Sequence, residues 1–444
     1  MRYFLTKGAA QASILVGSIL GTVVAGTAGG FIETDLVANK SPLTDSNGIV
    51  HTAPVDTHLV NPWGITTSAT SPFWVSDNNA GVSTLYNSTG VPQALVVSIP
   101  APGDPLGNGG TPTGTVFNIA QSQGAFPISG VKADGTTAIT APAVFLFATE
   151  DGTILGWNPN VNPKGDAKPR STHAIIAVDH SASAAVYKGL AIAADALGAT
   201  RLYATNFRAG TVEVFAASFL PATPSGGFTD PQLPKGYAPF NIFLIGSGLV
   251  VTYAVQNAEK HDDVAGMSHG IVNTFDLNGQ SFQRLIQHGQ LNSPWGVAVA
   301  PGSFGAFAGS LLIGNFGNGH INAYNATTGE FIDKIRDPNG QAIVIDGLWG
   351  LRVGNGGNGG DRNTVYFTAG PNGEQDGLFG SITPSPAPAM LTAPDLPSGF
   401  RKDVLRTAGL LALGAAAEAK ALQFEEGSGV FLPFLIRRAR CGLA

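Results

Sequence analysis

The chain has 444 residues, enough for one large domain or two ordinary ones, and a formal net charge of −6. It carries no basic stripe, which argues against nucleic acid as a partner. Charged residues make up only 12% of the chain, whereas glycine occurs 59 times and proline 29 times. This composition does not suit long amphipathic helices and favours many short strands with tight turns. The only cysteine, Cys441, allows no intrachain disulfide and no cysteine-based zinc site.

The first 28 residues have the pattern of an export signal. Residues 1–7 are short and positive, residues 8–32 carry no charge, and Gly26-Thr27-Ala28 supplies the small residues that a signal peptidase prefers. We therefore predict a signal peptide over residues 1–28, cleaved near Ala28, and a secreted or periplasmic protein. An uncleaved anchor is the alternative, because the uncharged stretch is long enough to span a bilayer. No membrane span is expected in the mature chain.

A unit of four short apolar runs joined by Gly and Asn turns repeats through residues 31–382. The clearest copy begins at Asn292, and its opening Ser293–Val297 (SPWGV) closely matches Asn61–Ile65 (NPWGI). Weaker copies open near residues 112, 187, 238 and 347, and the unit that opens near residue 112 carries a long polar insertion over residues 121–140. Glycine and asparagine suit such turns because they tolerate positive φ.

Six such units predict an all-β fold, a six-bladed β-propeller of four-stranded antiparallel blades. The last unit lacks a clear fourth strand, and Phe31–Val37 is a spare strand at the other end of the repeat region. We predict that this strand pairs into the last blade and closes the ring, which removes the exposed sheet edges of an open array. Beyond the propeller, residues 383–400 are predicted to be a Pro/Ala-rich linker and residues 401–444 a helix-like or disordered tail.

Several ordered motifs resemble those of one protein family. They include FWVSDNNAGVSTLY (Phe73–Tyr86), LLIGNFGNGHINAY (Leu311–Tyr324) and GLFGSI (Gly377–Ile382), besides the two motifs that contain Pro-Trp-Gly. Together they resemble the bacterial secreted TIGR03118 family, which is similar to NHL-type propellers. The resemblance covers roughly residues 31–382 and implies a propeller fold and an export route. It implies no activity.

Three further patterns suggest chemistry but fit structural roles better. Gly266–Gly270 matches G-x-S-x-G, yet a strand follows Ser268 where a nucleophile elbow requires a helix. Gly354–Gly359 matches G-x-G-x-x-G, but no helix follows to bind a pyrophosphate. The run His261-Asp262-Asp263 could contact a cation, although a solvated hairpin tip is the favoured interpretation.

The candidate site follows from blade geometry. The start of the first strand and the end of the second lie on one face near the axis, so polar residues at those ends should meet there. Asp77, Glu150, Asn206 and Asn315 are the candidate metal ligands, since Ca²⁺ takes six to eight oxygen ligands of this type. Turn chemistry, in which Asn and Asp bond their own backbone, is the competing explanation. The full predicted ligand-binding set at this axial face is Trp63, Asp77, Asn206, Gln256, Trp295, Asn315 and Trp349.

These features support two functional hypotheses. The first is a secreted binding module that uses its axial face without catalysis, for an unidentified small molecule, glycan or protein. The second is a Ca²⁺-dependent lactonase-like hydrolase or a streptogramin-lyase-like enzyme. The sequence offers no catalytic histidine at the axis, so whether the protein is an enzyme stays open. A monomer is expected, and no cofactor is predicted besides possible Ca²⁺.

Overall fold

The computed structural model describes residues 29–166 and 168–386, and within these ranges the fold is a β-propeller. In chain order the strands are β1 (Phe31–Ala38), β2 (Leu43–Thr44), β3 (Val50–His51), β4 (Pro62–Thr66), β5 (Phe73–Asp77), β6 (Val82–Tyr86), β7 (Val97–Ser98), β8 (Pro112–Phe117), β9 (Pro127–Val131), β10 (Ala138–Pro142), β11 (Phe145–Thr149), β12 (Thr153–Trp157), β13 (Ile175–Asp179), β14 (Tyr187–Ala194), β15 (Thr200–Asn206), β16 (Thr211–Ala216), β17 (Tyr237–Ile245), β18 (Gly248–Val255), β19 (Ile271–Phe275), β20 (Gln283–Gln287), β21 (Pro294–Val299), β22 (Leu311–Asn315), β23 (Ile321–Tyr324), β24 (Phe331–Lys334), β25 (Leu348–Val353), β26 (Val365–Ala369) and β27 (Leu378–Pro384).

Six antiparallel sheets form the blades, and the predicted six-bladed architecture is confirmed. Written from the axis outward, the blades are β4-β5-β6-β7, β8-β11-β12-β13, β14-β15-β16, β17-β18-β19-β20, β21-β22-β23-β24 and β25-β26-β27-β1. Blade three has three named strands, and Pro221 bridges to Phe215 where a fourth would lie. The polar insertion in the second unit contains a separate hairpin, β9–β10.

The innermost strands pack against one another through a ring of small residues. A Cβ placed on Gly296 would lie 2.5 Å from the carbonyl oxygen of Trp349, and one on Gly350 would lie 2.7 Å from that of Trp63. A Cβ on Gly64 or Gly114 would lie equally close to backbone atoms of the next strand, so glycine is required at these contacts. Blade four has Asn241 at this position, and its Nδ2 donates to the carbonyl oxygen of Trp295 in blade five. The residues at this position are Gly64, Gly114, Gly189, Asn241, Gly296 and Gly350.

The N-terminal strand closes the ring as predicted. β1 pairs antiparallel with β27 from Phe31↔Pro384 to Ala38↔Leu378 and becomes the outermost strand of blade six. Phe31 is buried and lies 4.7 Å from Phe304 and 5.6 Å from Phe307, ring centroid to ring centroid. Since both partners follow β21 in blade five, this side chain also joins two blades.

The helical elements among the described residues are short. They are the 3₁₀ turns Asn78–Ala80, Gln121–Gln123, Ser181–Ser183 and Gly305–Phe307 and the helical turn Pro371–Glu374. None of the described helices has the length and apolar character that a membrane crossing requires. The predicted signal peptide (residues 1–28), the helix-like tail (residues 401–444) and all of the predicted linker after residue 386 lie outside the described residues.

Candidate functional site at the propeller axis

A β-bulge in each innermost strand turns one side chain away from the ladder. The pairing register with the second strand shifts at this point in all six blades, for example between Pro294 and Gly296. Bulges re-aim side chains in this way. The residues passed over by the ladder include Trp63, Thr113, Lys188, Phe240, Trp295 and Trp349, and all six of these are buried.

A left-handed residue sets the entry to three of these strands. Asn61, Ser293 and Gly347 directly precede β4, β21 and β25 and have φ values of 49°, 46° and 64°. Asparagine and glycine adopt this conformation more readily than other residues do. The turn brings the following Trp63, Trp295 or Trp349 to the axis.

Aromatic rings from several blades form the floor of the axial site. Trp63 stacks on Trp349 with ring centroids 3.5 Å apart, and the half-buried Phe316 stacks on Trp349 at 3.8 Å. Trp295 meets both tryptophans edge-on, at 5.9 Å from Trp63 and 5.7 Å from Trp349. Its Nε1 donates to the carbonyl oxygen of Lys188, from blade five to blade three. The three tryptophans named by the sequence therefore meet at the axis.

Lys188 takes the position that tryptophan holds in three other blades. Its side chain is 2% exposed, and its Nζ lies 5.0 Å from the Trp63 ring centroid, within cation–π range. The ammonium bonds the carboxylate of Glu150 and lies 3.3 Å from Asp262 Oδ1. Burial alone would lower the pKa of Lys188, but the charge of Glu150 and its hydrogen bond raise it. Lys188 is thus held as a buried cation.

Carboxyl and amide groups from other blades surround this ammonium. Asn78 donates to Glu150 Oε2 at 2.8 Å, and Asn61 Nδ2 donates to Glu374 Oε2 at 2.7 Å. Trp349 Nε1 donates to Asn61 Oδ1 at 2.9 Å, which ties this amide to the aromatic floor. We call the following residues the axial cluster: Asn61, Asn78, Glu150, Lys188, Asp262, Asp263 and Glu374.

The carboxyl groups of the axial cluster differ in their electrostatics. Burial raises the pKa of Glu374 to about 7; the hydrogen bond from Asn61 opposes this shift, and the charge of Glu150 adds to it. Burial also raises the pKa of Asp263. In contrast, a hydrogen bond from His261, 2.8 Å from Asp262, holds the pKa of Asp262 at about 2. Because carboxyl groups that titrate near neutrality can exchange protons at pH 7, Glu374 is the candidate acid–base group.

Four of the predicted polar residues bond within or between blades rather than at the axial cluster. Asp77 is fully buried, and its Oδ2 accepts from the Thr84 backbone N–H and hydroxyl. Asn206 donates to Glu213, Asn315 donates to the carbonyl oxygen of Gln290, and Gln256 donates to that of Phe207. Among the four predicted metal ligands, Glu150 is the one that reaches the axial cluster, and the metal site stays a prediction.

Among the charged members of the axial cluster, sequence reasoning did not identify Lys188 and Glu374. Lys188 could have been found, because Tyr187-Lys188-Gly189 opens its unit as Pro62-Trp63-Gly64 opens another. Glu374 has no comparable signal. It ends a turn in which Asn372, Gly373 and Glu374 all have positive φ, and this backbone path decides where its carboxyl group lies.

Comparisons with known proteins identify relatives. No family model matches the chain. The uncharacterized protein R648 of Acanthamoeba polyphaga mimivirus is 30% identical over 357 residues, which cover 78% of this chain and 78% of that protein. The uncharacterized protein L690 of the same virus is 31% identical over 345 residues, which cover 76% of this chain and 83% of that protein.

Solved structures with a related architecture are more distant. A streptogramin B lyase is 13% identical with a TM-score of 0.41, over 80% of this chain and 98% of that chain. A gluconolactonase from Xanthomonas campestris is 14% identical with a TM-score of 0.33, over 64% of this chain and 96% of that chain. The Dos1 propeller is 10% identical with a TM-score of 0.36, over 76% of this chain and 70% of that chain. Likenesses this distant carry no argument about what this chain binds or does. The sequence matches, in contrast, show that the chain belongs to the same family as the mimivirus proteins R648 and L690.

Proposed function

We propose that the chain is an exported binding protein whose axial cluster recognises a ligand that carries positive charge. The observation that supports this proposal is the charge balance of the cluster. Glu150, Asp262, Asp263 and Glu374 contribute four carboxyl groups, and Lys188 contributes one ammonium. Asp262 is 61% exposed, so part of this negative charge faces solvent. A site in which carboxyl groups outnumber cationic groups attracts ligands of positive charge.

Lys188 bears on the role of Ca²⁺. Its ammonium sits between Glu150 and Asp262, which are the groups that would otherwise coordinate a cation with His261. A metal ion there would meet this fixed positive charge, and like charges repel strongly at low dielectric. This geometry favours an organic cation, bound by the more exposed carboxylates, over a metal ion held by Glu150.

A second candidate function is catalytic, of the streptogramin-lyase or lactonase type named above. The observation that favours it is the pKa of about 7 at Glu374 beside the Glu150–Lys188 ion pair. A carboxyl group with this pKa can accept and return a proton at neutral pH. In that version Lys188 would stabilise negative charge that develops on the substrate.

Calorimetric titration with two probes, spermidine and calcium chloride, tests the binding proposal at low ionic strength. We expect saturable binding of spermidine, and at least tenfold weaker binding by the double variant Asp262→Asn/Glu374→Gln. Glu330→Gln, an exposed carboxylate on blade five, is the matched control and should bind as the parent does. Spermidine binding that is absent, or equal in all three proteins, would refute the proposal. Calcium binding that is lost in the double variant would instead favour the metal-dependent alternative.

Export and membership in the TIGR03118 family belong to the same proposal. The ordered motifs support the family, and the uncharged run before Ala28 supports export. Mass spectrometry of the chain recovered from the culture medium or periplasm should give a mature N-terminus near Gly29. Recovery of only the uncleaved chain in the membrane fraction would favour the anchor.

A further inference from the structure

A second group of acidic and imidazole side chains lies in blade six, outside the axial cluster. Glu33 and Asp35 are two residues apart on the closing strand β1, so their side chains share one face of that strand. The β2–β3 hairpin brings His51 to the same place. Carboxylate oxygens of Glu33 and Asp35 and a ring nitrogen of His51 all lie within 4.8 Å of one another. Three donors from two separate elements therefore converge on one point.

The imidazole is buried and oriented from both sides. The His51 side chain is 6% exposed, and its Nδ1 lies 3.1 Å from both carboxylate oxygens of Asp35. Its Nε2 faces Asp45 Oδ2 at 3.7 Å. The Asp45 side chain is fully buried, and its Oδ1 accepts from the backbone N–H groups of Asn47 at 2.9 Å and Ile49 at 2.7 Å. These bonds hold the Asp45 carboxylate in place facing the ring.

The charge of this group is not balanced. Three carboxyl groups surround one imidazole, and His51 provides the ion pairs that Asp35 and Asp45 make within the described residues. Buried charges are normally paired or coordinate a metal ion, because unpaired ones are costly.

We propose that Glu33, Asp35 and His51 Nδ1 bind one divalent transition-metal ion, with Zn²⁺ as the best match. Zinc accepts imidazole nitrogen and carboxylate oxygen together and leaves a position for water when the protein supplies three ligands. In this arrangement His51 Nε2 faces the carboxylate of Asp45 at 3.7 Å, the position of the outer carboxylate that metal-bound histidines usually have. The ion would tie the β2–β3 hairpin to the strand that closes the propeller.

The test uses the full untagged chain after EDTA treatment and dialysis, with zinc chloride as the probe. Equilibrium dialysis with metal analysis should give one tightly bound zinc per chain, and the melting temperature should rise with zinc concentration. Glu33→Gln and His51→Gln should each weaken binding at least tenfold, and Asp45→Asn should weaken it by about 10- to 100-fold. His261→Gln is the matched control, because it removes the imidazole of the axial Glu150–His261–Asp262 group. That variant should bind zinc as the parent does.

Each alternative outcome overturns the proposal. Parent protein that binds no zinc would exclude the site, and Glu33→Gln protein that binds as tightly as the parent would exclude these ligands. Loss of binding in His261→Gln alone would move the site to the axis. Calcium that raises the melting temperature equally in the parent and in His51→Gln would show an oxygen site without the imidazole. Glu33→Gln keeps the test decisive if the buried His51→Gln variant does not fold.

Discussion

The Lys188 ammonium lies 5.0 Å from the centre of the Trp63 ring, under the carboxylates of Glu150 and Asp262. A single basic residue has thus replaced an aromatic one in a ring of bulged strands. The replacement places a cation where three carboxyl-bearing connections converge. It also gives the axial cluster an internal counter-ion, on which the first prediction depends.

Lys188→Met should destabilise the fold by about 3–5 kcal/mol, because it leaves the largely buried Glu150 carboxylate without its ion-pair partner. The double variant Lys188→Met/Glu150→Gln should recover much of this loss. Urea unfolding of the parent, the two single variants and the double variant measures the coupling free energy between Lys188 and Glu150. Arg336→Met, which breaks the half-exposed pair with Asp333, is the control and should cost about 0–1 kcal/mol. Equal losses at the two sites would contradict the buried-cation interpretation.

Glu374 should make stability depend on pH. Its pKa is about 7 in the folded protein and 4.5 in its unperturbed state, so the folded chain binds more protons between these values. Stability from this group is therefore fully present below about pH 4.5 and is lost as the pH rises through 7. Relative to the parent, Glu374→Gln should gain up to about 3 kcal/mol at pH 8 and nothing at pH 4.5.

Urea unfolding of the parent and of Glu374→Gln at pH 4.5, 6 and 8 gives this difference directly. The comparison cancels the contributions of all other titrating groups. Glu330→Gln serves as the exposed control and should run parallel to the parent. If the free energy of unfolding of Glu374→Gln changes with pH as that of the parent does, the carboxyl group of Glu374 does not have a raised pKa.

Gly296→Ala should destabilise the ring of inner strands. The added Cβ would lie 2.5 Å from the Trp349 carbonyl oxygen, and backbone atoms cannot move aside as a flexible side chain can. Overpacking of this kind costs about 1–3 kcal/mol. Gly302→Ala is the matched control, since a Cβ there meets nothing within 4 Å. Differential scanning calorimetry should show a lower melting temperature than the parent's for Gly296→Ala and an unchanged melting temperature for Gly302→Ala.

Phe31→Ala should loosen the closure of the ring by about 3–5 kcal/mol, because the side chain is 3% exposed and packs on Phe304 and Phe307. Its neighbour Ile32 is 41% exposed, so Ile32→Ala should change stability by no more than about 0.5 kcal/mol. Chemical denaturation of the two variants compares adjacent positions on one strand. Similar effects at both positions would mean that β1 adds little to closure.

The blades could be predicted from the sequence, because their pairings, apart from that of β1 with β27, join strands that are close in the chain. The motif Pro294-Trp295-Gly296 and its copies mark the bulge, and Gly or Asn turns mark the connections. Residue type at the ends of the second strands was less informative. Asn206 and Asn315 have the side chains a metal site requires, yet Asn206 donates to Glu213, and Asn315 donates to Asn318 and to the carbonyl oxygen of Gln290.

The axial cluster could not be predicted in the same way, because its members are distant in sequence. The contact between Lys188 and Glu150 spans 38 residues, and that between Asn61 and Glu374 spans 313. Each depends on the length and backbone path of a connection rather than on a periodic pattern. The left-handed turn ending at Glu374 is an example, since one residue more or less would carry its carboxyl group elsewhere.

The pairing of β1 with β27 can form only late in the synthesis of the chain, because β1 is made early and β27 is made late. Phe31 is among the first described residues to be synthesised, and its partner Pro384 is among the last. Until the ribosome has passed that point, blade six lacks its outer strand, and an unpaired edge is open to other chains. Such a distant pairing is slow to form, since a long loop must close first. The strand β1 therefore has no partner until nearly all of the described chain has been synthesised. A chaperone that covers β1 would act in that interval.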